Sequence, residues 1–356
     1  MRCLAIIISA LILTGMACEK RDPQTFVKSE TRMKSTKDLP PRKVIVGTCI
    51  QGFWGKSADL DERLKLLCGR IDQMADTAKA QYGRYMDLAV LPEEAVTFGR
   101  KGEPWVRSLP FDGKIKAAFV AKARQYNSYL VVPMDLLEDK EKKIATNSCI
   151  LLDRKGKVVG IYRKVHLAVH INSESMEGGM TPGKTTPVFK CDFGKLGIQI
   201  CFDMAFDDGW EALRRQGADL VVWPTASPTT VKGRMRAYNN RYYIVSSTFR
   251  DQAAVFEPTG MLTARIARPK NILVQEIDLS YALLPWSPKL RDGKALKEKY
   301  GDKVGFRYYR PEDGGIFWSN DRNITIGEMV RSINVAEVGP ERDRVLKLYK
   351  KKGIVK

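Results

Sequence analysis

Short runs of continuous apolar residues alternate with stretches whose apolar residues recur every third or fourth position, and this alternation constrains the fold most. The β-rich run over 43–50, KVIVGTCI, is followed by Asp59 and Glu62, a helix-start pair. Leu64, Leu67, Ile71, Met74 and Ala78 then repeat at helical spacing. DLAVLP, over 87–92, reads as a strand buried on both faces. Ile115, Phe119, Ala123 and Tyr126 mark a second helix, and YLVVPM a third strand. NSCILLDRKGKVVGIYRKVHL reads as two strands joined by a turn at Asp153 to Gly156. The alternation continues through LGIQIC, a helix over 210–216, DLVVWP, a helix over 234–240 and YIVSST. AAVFEPTG and NILVQEIDL supply the last strands. Such a chain predicts a layered α/β domain over 43–285, with helices covering sheet, and no internal repeat is visible.

The ends read differently. Met1 and Arg2 give a positive start, Cys3 to Leu13 an apolar core, and 14–18 a small-residue exit, the pattern of an export signal. Its apolar core is well short of the roughly 20 residues a membrane span needs. A small residue directly before Cys18 resembles a bacterial lipoprotein cleavage site, which would make Cys18 an acylated N-terminus and a membrane attachment. The expected location is therefore periplasmic or extracellular. Residues 19–42 are polar and contain Pro40-Pro41, a flexible tether. From 286 to 356 no periodicity is clear, and this C-terminal extension is a candidate subunit contact. It closes on PERDRVLKLYKKKGIVK, with seven basic and two acidic residues. That tail packs on a partner subunit, sits near an anionic surface, or is simply solvated.

The net charge of +19 draws a chain toward anionic surfaces, or scattered lysines simply keep it soluble. No zinc finger, RNA-binding aromatic motif or basic heptad region accompanies the charge, so no nucleic-acid partner is expected. Beyond Cys3 and Cys18, five cysteines (Cys49, Cys68, Cys149, Cys191, Cys201) are widely spaced and form no CxxC pair. Neither a zinc site nor a disulfide framework follows.

Three reactive side chains stand just past strands: Glu93 in LPEEA, Lys164 in YRKVHL, and Cys201 at the end of LGIQIC. Sites in α/β sheets gather at strand C-terminal ends, where loops converge. A thiol needs a base or cation beside it to react. Glu93 can take its proton, and Lys164 can stabilise a thiolate or an oxyanion. Singly, each has an ordinary reading: Glu93 beside Glu94 as solvated surface, Lys164 as a snorkelling base, Cys201 as inert core.

Together, LPEE, YRKVHL, GKLGIQICFD and GADLVVWPTA, in that order, resemble the nitrilase superfamily of carbon–nitrogen hydrolases over 44–279. RAYNNRYYIVSSTFRD and VFEPTG resemble its later segments. The resemblance implies a four-layer αββα sandwich and a catalytic Glu-Lys-Cys triad, here Glu93, Lys164 and Cys201. It implies a second glutamate, for which Glu174 is the first candidate and Glu177 the next. The backbone N–H of Phe202 would join Lys164 in holding an oxyanion. It implies a small amide or carbamoyl substrate, a thioester intermediate, no metal or organic cofactor, and a homodimer or larger oligomer. Phe202-Asp203 after the nucleophile, where nitrile-cleaving members carry Trp-Glu, favours an amide. Ala205 stands where carbamoylases often carry Arg, Asp207-Asp208 replace a usual Pro-Glu, and Asn239 replaces a usual Glu. His166 and His170, the only histidines, have metal-pair spacing only in a helix, and they follow a strand. The alternatives are an exported surface-binding protein on a hydrolase fold, and an acyltransferase or nitrile-cleaving relative.

Overall fold

The computed structural model describes residues 36–55, 59–169, 174–267 and 269–354. The expected leader over 1–18, with Cys18, lies outside the described residues, as does the tether up to residue 35. Residues 36–354 belong to one compact unit.

The first half of the unit builds one sheet and its covering helices. Strand β1 (Lys43–Cys49) leads to α1 (Leu60–Tyr82), β2 (Leu88–Val90), α2 (Pro104–Arg107) and α3 (Gly113–Tyr126). Then come β3 (Tyr129–Asp139), β4 (Ile144–Leu152) and β5 (Val158–Arg163). The α1 start is set by Asp59, whose carboxylate accepts from the Glu62 N–H at 2.9 Å. It ends at Gly83, whose φ of 72° closes the last turn onto Lys79. Between β4 and β5 the Asp153 carboxylate accepts from the N–H groups of Lys155 and Lys157, at 2.9 and 2.8 Å, closing the expected hairpin.

The second half repeats the plan with β6 (Val188–Cys191), β7 (Gly194–Ile198), α4 (Asp208–Arg215), β8 (Leu220–Pro224), α5 (Val231–Asn240) and β9 (Tyr243–Ser247). Strands β10 (Gln252–Phe256), β11 (Leu262–Ala267) and β12 (Ile272–Asp278) follow. The sheet orders are β12-β1-β2-β3-β4-β5 and β6-β7-β8-β9-β10-β11. In both, three parallel central strands carry one antiparallel neighbour on one side and two on the other. The repeat lies in connectivity rather than residue identity, so the sequence did not display it.

Period-two alternation decides the layering. Val44, Val46, Leu88 and Val90 face Leu196, Ile198, Leu220 and Val222 across the space between the sheets. Their neighbours Ile45 and Ala89 pack outward with residues of α1 and α3, while Val221 and Ile244 pack outward with residues of α4 and α5. The result is helices, sheet, sheet, helices: the four-layer αββα sandwich.

Beyond it come β13 (Tyr281–Pro285), α6 (Lys294–Tyr300), β14 (Val304–Tyr309), β15 (Gly314–Ser319), α7 (Ile326–Arg331) and α8 (Val338–Lys351). Strand β13 pairs with β15, and β15 with β14, in a third sheet with its own core of Ala282, Leu284, Leu296, Phe317 and Met329. The boundary expected at 285 therefore falls between paired strands. Arg307 on β14 ties this sheet to the sandwich, donating at 2.8 and 2.6 Å to the buried Glu257 carboxylate.

Candidate active site

Four strand ends, two from each sheet, meet at one place. Glu93 stands three residues past β2 and Lys164 directly past β5. Cys201 follows β7, and Thr225 and Ala226 follow β8. A backbone bridge between Ile50 and Thr248 joins the two sheets at this end.

Lys164 is the centre, 1% exposed. Its ammonium donates to Glu93 Oε1 at 2.8 Å and to Glu177 Oε1. Asn147 on β4, also fully buried, donates through Nδ2 to Glu93 Oε1 and to Glu177 Oε2, at 3.1 Å each. Glu93 Oε2 accepts from the Ala226 N–H at 3.1 Å. A second acidic pair surrounds these groups. Burial and the charges of Asp135, Glu93 and Glu177 hold the Glu94 carboxyl well above its usual range, against the opposing pull of Lys164. Burial likewise pushes Asp135 up to about 7, although Arg107 opposes it. On Lys164 itself, burial favours the neutral amine, but the charges of Glu93 and Glu177 and the Glu177 hydrogen bond win, so it stays an ammonium.

Cys201 opens a short 3-10 turn over 201–205 with a φ of 38°, the left-handed region that a non-glycine residue enters at a cost of about 1–3 kcal/mol. Asp203 holds that turn. Its fully buried carboxylate accepts from the Ile200 N–H at 2.9 Å, the Tyr162 hydroxyl at 2.8 Å and the His166 N–H at 2.9 Å. The Trp223 indole N–H adds a bond to the Cys201 carbonyl at 3.1 Å. Burial, and then the Glu93 charge, push the Cys201 thiol up to about 12; the Lys164 ammonium, the Thr225 hydroxyl and the Ala226 N–H oppose them. At neutral pH the resting sulfur is a thiol, so attack requires a base in the same step.

The expected second glutamate needs correction. Glu174 is exposed, with no hydrogen bond or ion pair among the described residues, while Glu177 sits against Lys164. The chain turns back here: Val169 bridges Met176, and the Glu177 N–H donates to the Ala168 carbonyl at 2.9 Å. Arg107 Nη2 fixes the Glu177 carbonyl at 2.9 Å, and Glu177 has a φ of 48°. Two glutamates three positions apart in an irregular loop cannot be ranked from spacing. Changing Glu177→Gln is expected to lower kcat/KM for an amide by about 10- to 100-fold, and Glu174→Gln by less than about twofold, in steady-state assays of both variants.

The remaining expectations fall as follows. Phe202 exposes its ring beside Phe206, which stacks on His166 at 4.2 Å. His166 Nδ1 and Nε2 face Asp203 and Asp208 at 3.0 and 3.3 Å. The Asp203 hydrogen bond raises its pKa although partial burial opposes this. His170 lies outside the described residues. No group of three or more His, Cys, Asp or Glu suited to a metal is present among the described residues. Asp207 is paired with Arg236, and Asn239 lines a groove on the outer side of α5. Sequence reasoning missed Asn147, which it read only as the start of a strand, and missed Arg63. From α1, the buried Arg63 guanidinium donates to the carbonyls of Ala95 and Phe98 at 2.9 and 3.0 Å, clamping the loop that carries Glu93.

Residues 48–283 match the family model described as carbon-nitrogen hydrolase, and the chain belongs to that family. It is 28% identical over 221 residues to human deaminated glutathione amidase, spanning 54% of this chain and 67% of that protein. To a probable nitrilase of Schizosaccharomyces pombe it is 26% identical, over 50% of this chain and 65% of that protein. Among solved structures, Saccharomyces cerevisiae Nit3, a member of branch 10 of the nitrilase superfamily, superposes with a TM-score of 0.56 at 20% identity. That match covers 73% of this chain and 95% of Nit3. The Caenorhabditis elegans NitFhit protein superposes with a TM-score of 0.58 at 21% identity, over 68% of this chain and 62% of that one. These likenesses establish the nitrilase fold.

Proposed function

We propose that this protein hydrolyses the C–N bond of a small amide or carbamoyl compound through a thioester on Cys201. The observation that carries the reading is the Lys164 ammonium held between Glu93 and Glu177, with the second Glu93 oxygen bonded by the Ala226 N–H and Cys201 set within reach of the Glu93 and Lys164 charges. Glu93 takes the thiol proton as Cys201 Sγ attacks the carbonyl carbon. Lys164 has one N–H beyond the two held by the glutamates, and it joins the Phe202 N–H in holding the oxyanion. As the tetrahedral species collapses, the C–N bond breaks and Glu93 returns the proton to the leaving amine. Water then attacks the thioester with its proton passing to Glu93, and the sulfur is released as a thiol with the acid product. Glu177 and Asn147 touch neither sulfur nor substrate in this scheme; they hold Lys164 and Glu93.

An amide is the substrate class this arrangement suits, because Glu93 stands ready to move the proton that an amine leaving group needs. The amidase names of several relatives agree with this, and one solved neighbour is an amidase from Nesterenkonia sp. AN1 carrying the acetamide moiety of fluoroacetamide at its active-site cysteine. A homo-oligomer is part of the proposal, supported by the exposed Val231, Met235 and Tyr238 on α5.

A pH titration tests the chemistry. With the thiol pushed up to about 12, the reactive thiolate is scarce at neutral pH and grows as pH rises. Iodoacetamide alkylation of Cys201, followed by peptide mass spectrometry, should therefore accelerate about tenfold per pH unit through the alkaline range. A rate already on its plateau at neutral pH would mean a preformed thiolate and overturn the concerted step. Asn147→Leu provides a second check, because it removes both N–H donors to the ionised carboxylates at similar volume. The acid limb of kcat/KM should move to higher pH, with kcat/KM falling about 10-fold or more. A purely structural role would lower activity without moving that limb.

A further inference from the structure

Helix α8 is the most exposed of the long helices. Val338 packs near the inter-sheet core, and from Arg342 to Lys351 every residue but Val345 is exposed. At helical spacing, Val345, Leu346 and Tyr349 share one side, while Arg344, Lys347 and Lys351 occupy the opposite one. Lys350 and Lys352 flank the apolar side. Leu346, Leu348, Tyr349 and Ile354 are 38%, 41%, 41% and 63% exposed. Arg344 is tied to Glu341, but Lys347, Lys350, Lys351 and Lys352 have no acidic partner among the described residues. An amphipathic helix with apolar residues on one side and unpaired lysines around it has the make-up of an interfacial helix.

Where the chain outside the structure ends gives a second, independent indication. The Thr36 hydroxyl donates to the Tyr281 carbonyl on β13 at 3.2 Å, Lys37 pairs with Glu337 at the N-cap of α8, and Asp38 pairs with Arg331 at 2.7 Å. The first described residue, Thr36, therefore lies near the N-cap of α8, and the expected acylation position Cys18 precedes it in the sequence. One acyl chain gives only marginal, reversible membrane binding, and a neighbouring basic patch is the usual second signal.

We propose that α8 docks on an anionic lipid surface. Leu346, Tyr349 and Ile354 enter the headgroup boundary, and Lys350 and Lys352 meet lipid phosphates beside them. A second copy of this chain fits the same side poorly, because it brings the same lysine-rich helix to the contact. Docked in this way, α8 holds the protein at an anionic membrane.

The test is cosedimentation of the full chain with phosphatidylglycerol-rich vesicles and with pure phosphatidylcholine vesicles, using Cys18→Ser throughout so that acylation carries nothing. Binding should favour the anionic vesicles and be released as salt rises to about 1 M. Changing Lys350→Glu, Lys351→Glu and Lys352→Glu together should lower partitioning at least about a hundredfold. Leu346→Ser with Tyr349→Ser should weaken binding while amide turnover in free solution stays within about twofold, as expected for surface changes remote from the site. Equal binding to both vesicle types, or unchanged binding of the charge-reversed chain, would overturn the proposal. So would a lipid-free dimer in sedimentation equilibrium that the serine variants abolish. Because the readout is binding, failure of the amidase reading leaves it standing, and the reverse also holds.

Discussion

Cys201→Ala is expected to lower kcat/KM for every amide the wild-type protein cleaves by at least about 10⁴-fold, because the nucleophile of a covalent mechanism has no substitute. In the proposed mechanism its sulfur forms the thioester; the carboxylates around it are held by Lys164, Asn147 and Ala226. The folded state should change little. Alanine keeps Cβ and vacates only the space of one sulfur, and the Asp203 bonds that fix the turn do not involve the thiol. Alanine also keeps the left-handed backbone of position 201 no worse strained than cysteine does. Thermal melts of the two proteins should nearly coincide while turnover disappears. A variant that retained hydrolysis would remove Cys201 from the reaction.

Lys164→Met is expected to damage both stability and turnover. Removing the ammonium leaves the buried Glu93 and the partly buried Glu177 facing each other without their shared cation, a loss of about 3–5 kcal/mol for one partner of a buried pair. The sign of the pH dependence follows. Two uncompensated carboxylates are costly only when ionised, so the deficit should shrink as pH falls and grow as it rises. Turnover should fall by a further factor of about 10²–10³, the usual effect of losing one oxyanion donor. Denaturant melts across acidic to neutral pH, set beside kcat on the same samples, separate the two effects. A variant as stable as wild type at neutral pH would contradict the buried-pair account.

Much of this site could be read from residue order, for a physical reason. Glu93, Lys164 and Cys201 each follow an apolar strand within a few positions, and strand direction alone carries their side chains to one edge of the sandwich. Asp203 was visible as a residue but not as an anchor, since its partners Tyr162 and His166 come from β5 and the segment after it. Asn147 was hidden because β4 reads as buried strand, and nothing in its pattern says that one polar side chain meets two carboxylates. Glu177 depends on how an irregular loop turns back on Ala168. The helix starts were legible where a cap is local, as at Asp59, whereas edge strands β6 (VFKC) and β11 (LTARIA) lack a continuous apolar run and went unseen. The third sheet was illegible because Gly, Arg and Tyr in β14 and the Gly pair in β15 break any continuous apolar run, and its partner β13 looked like the end of the sandwich.

The central claim is that sulfur, ammonium and carboxylate act on one acyl group. The most direct measurement mixes the wild-type protein with a small amide it turns over, quenches in acid within one turnover, and maps the digested chain by mass spectrometry. The account predicts the acyl mass on the peptide containing Cys201, released by mild hydroxylamine as a thioester should be, and absent from Cys201→Ala. An acyl group on any other residue, or turnover with no adduct at Cys201 under conditions that preserve thioesters, would contradict it.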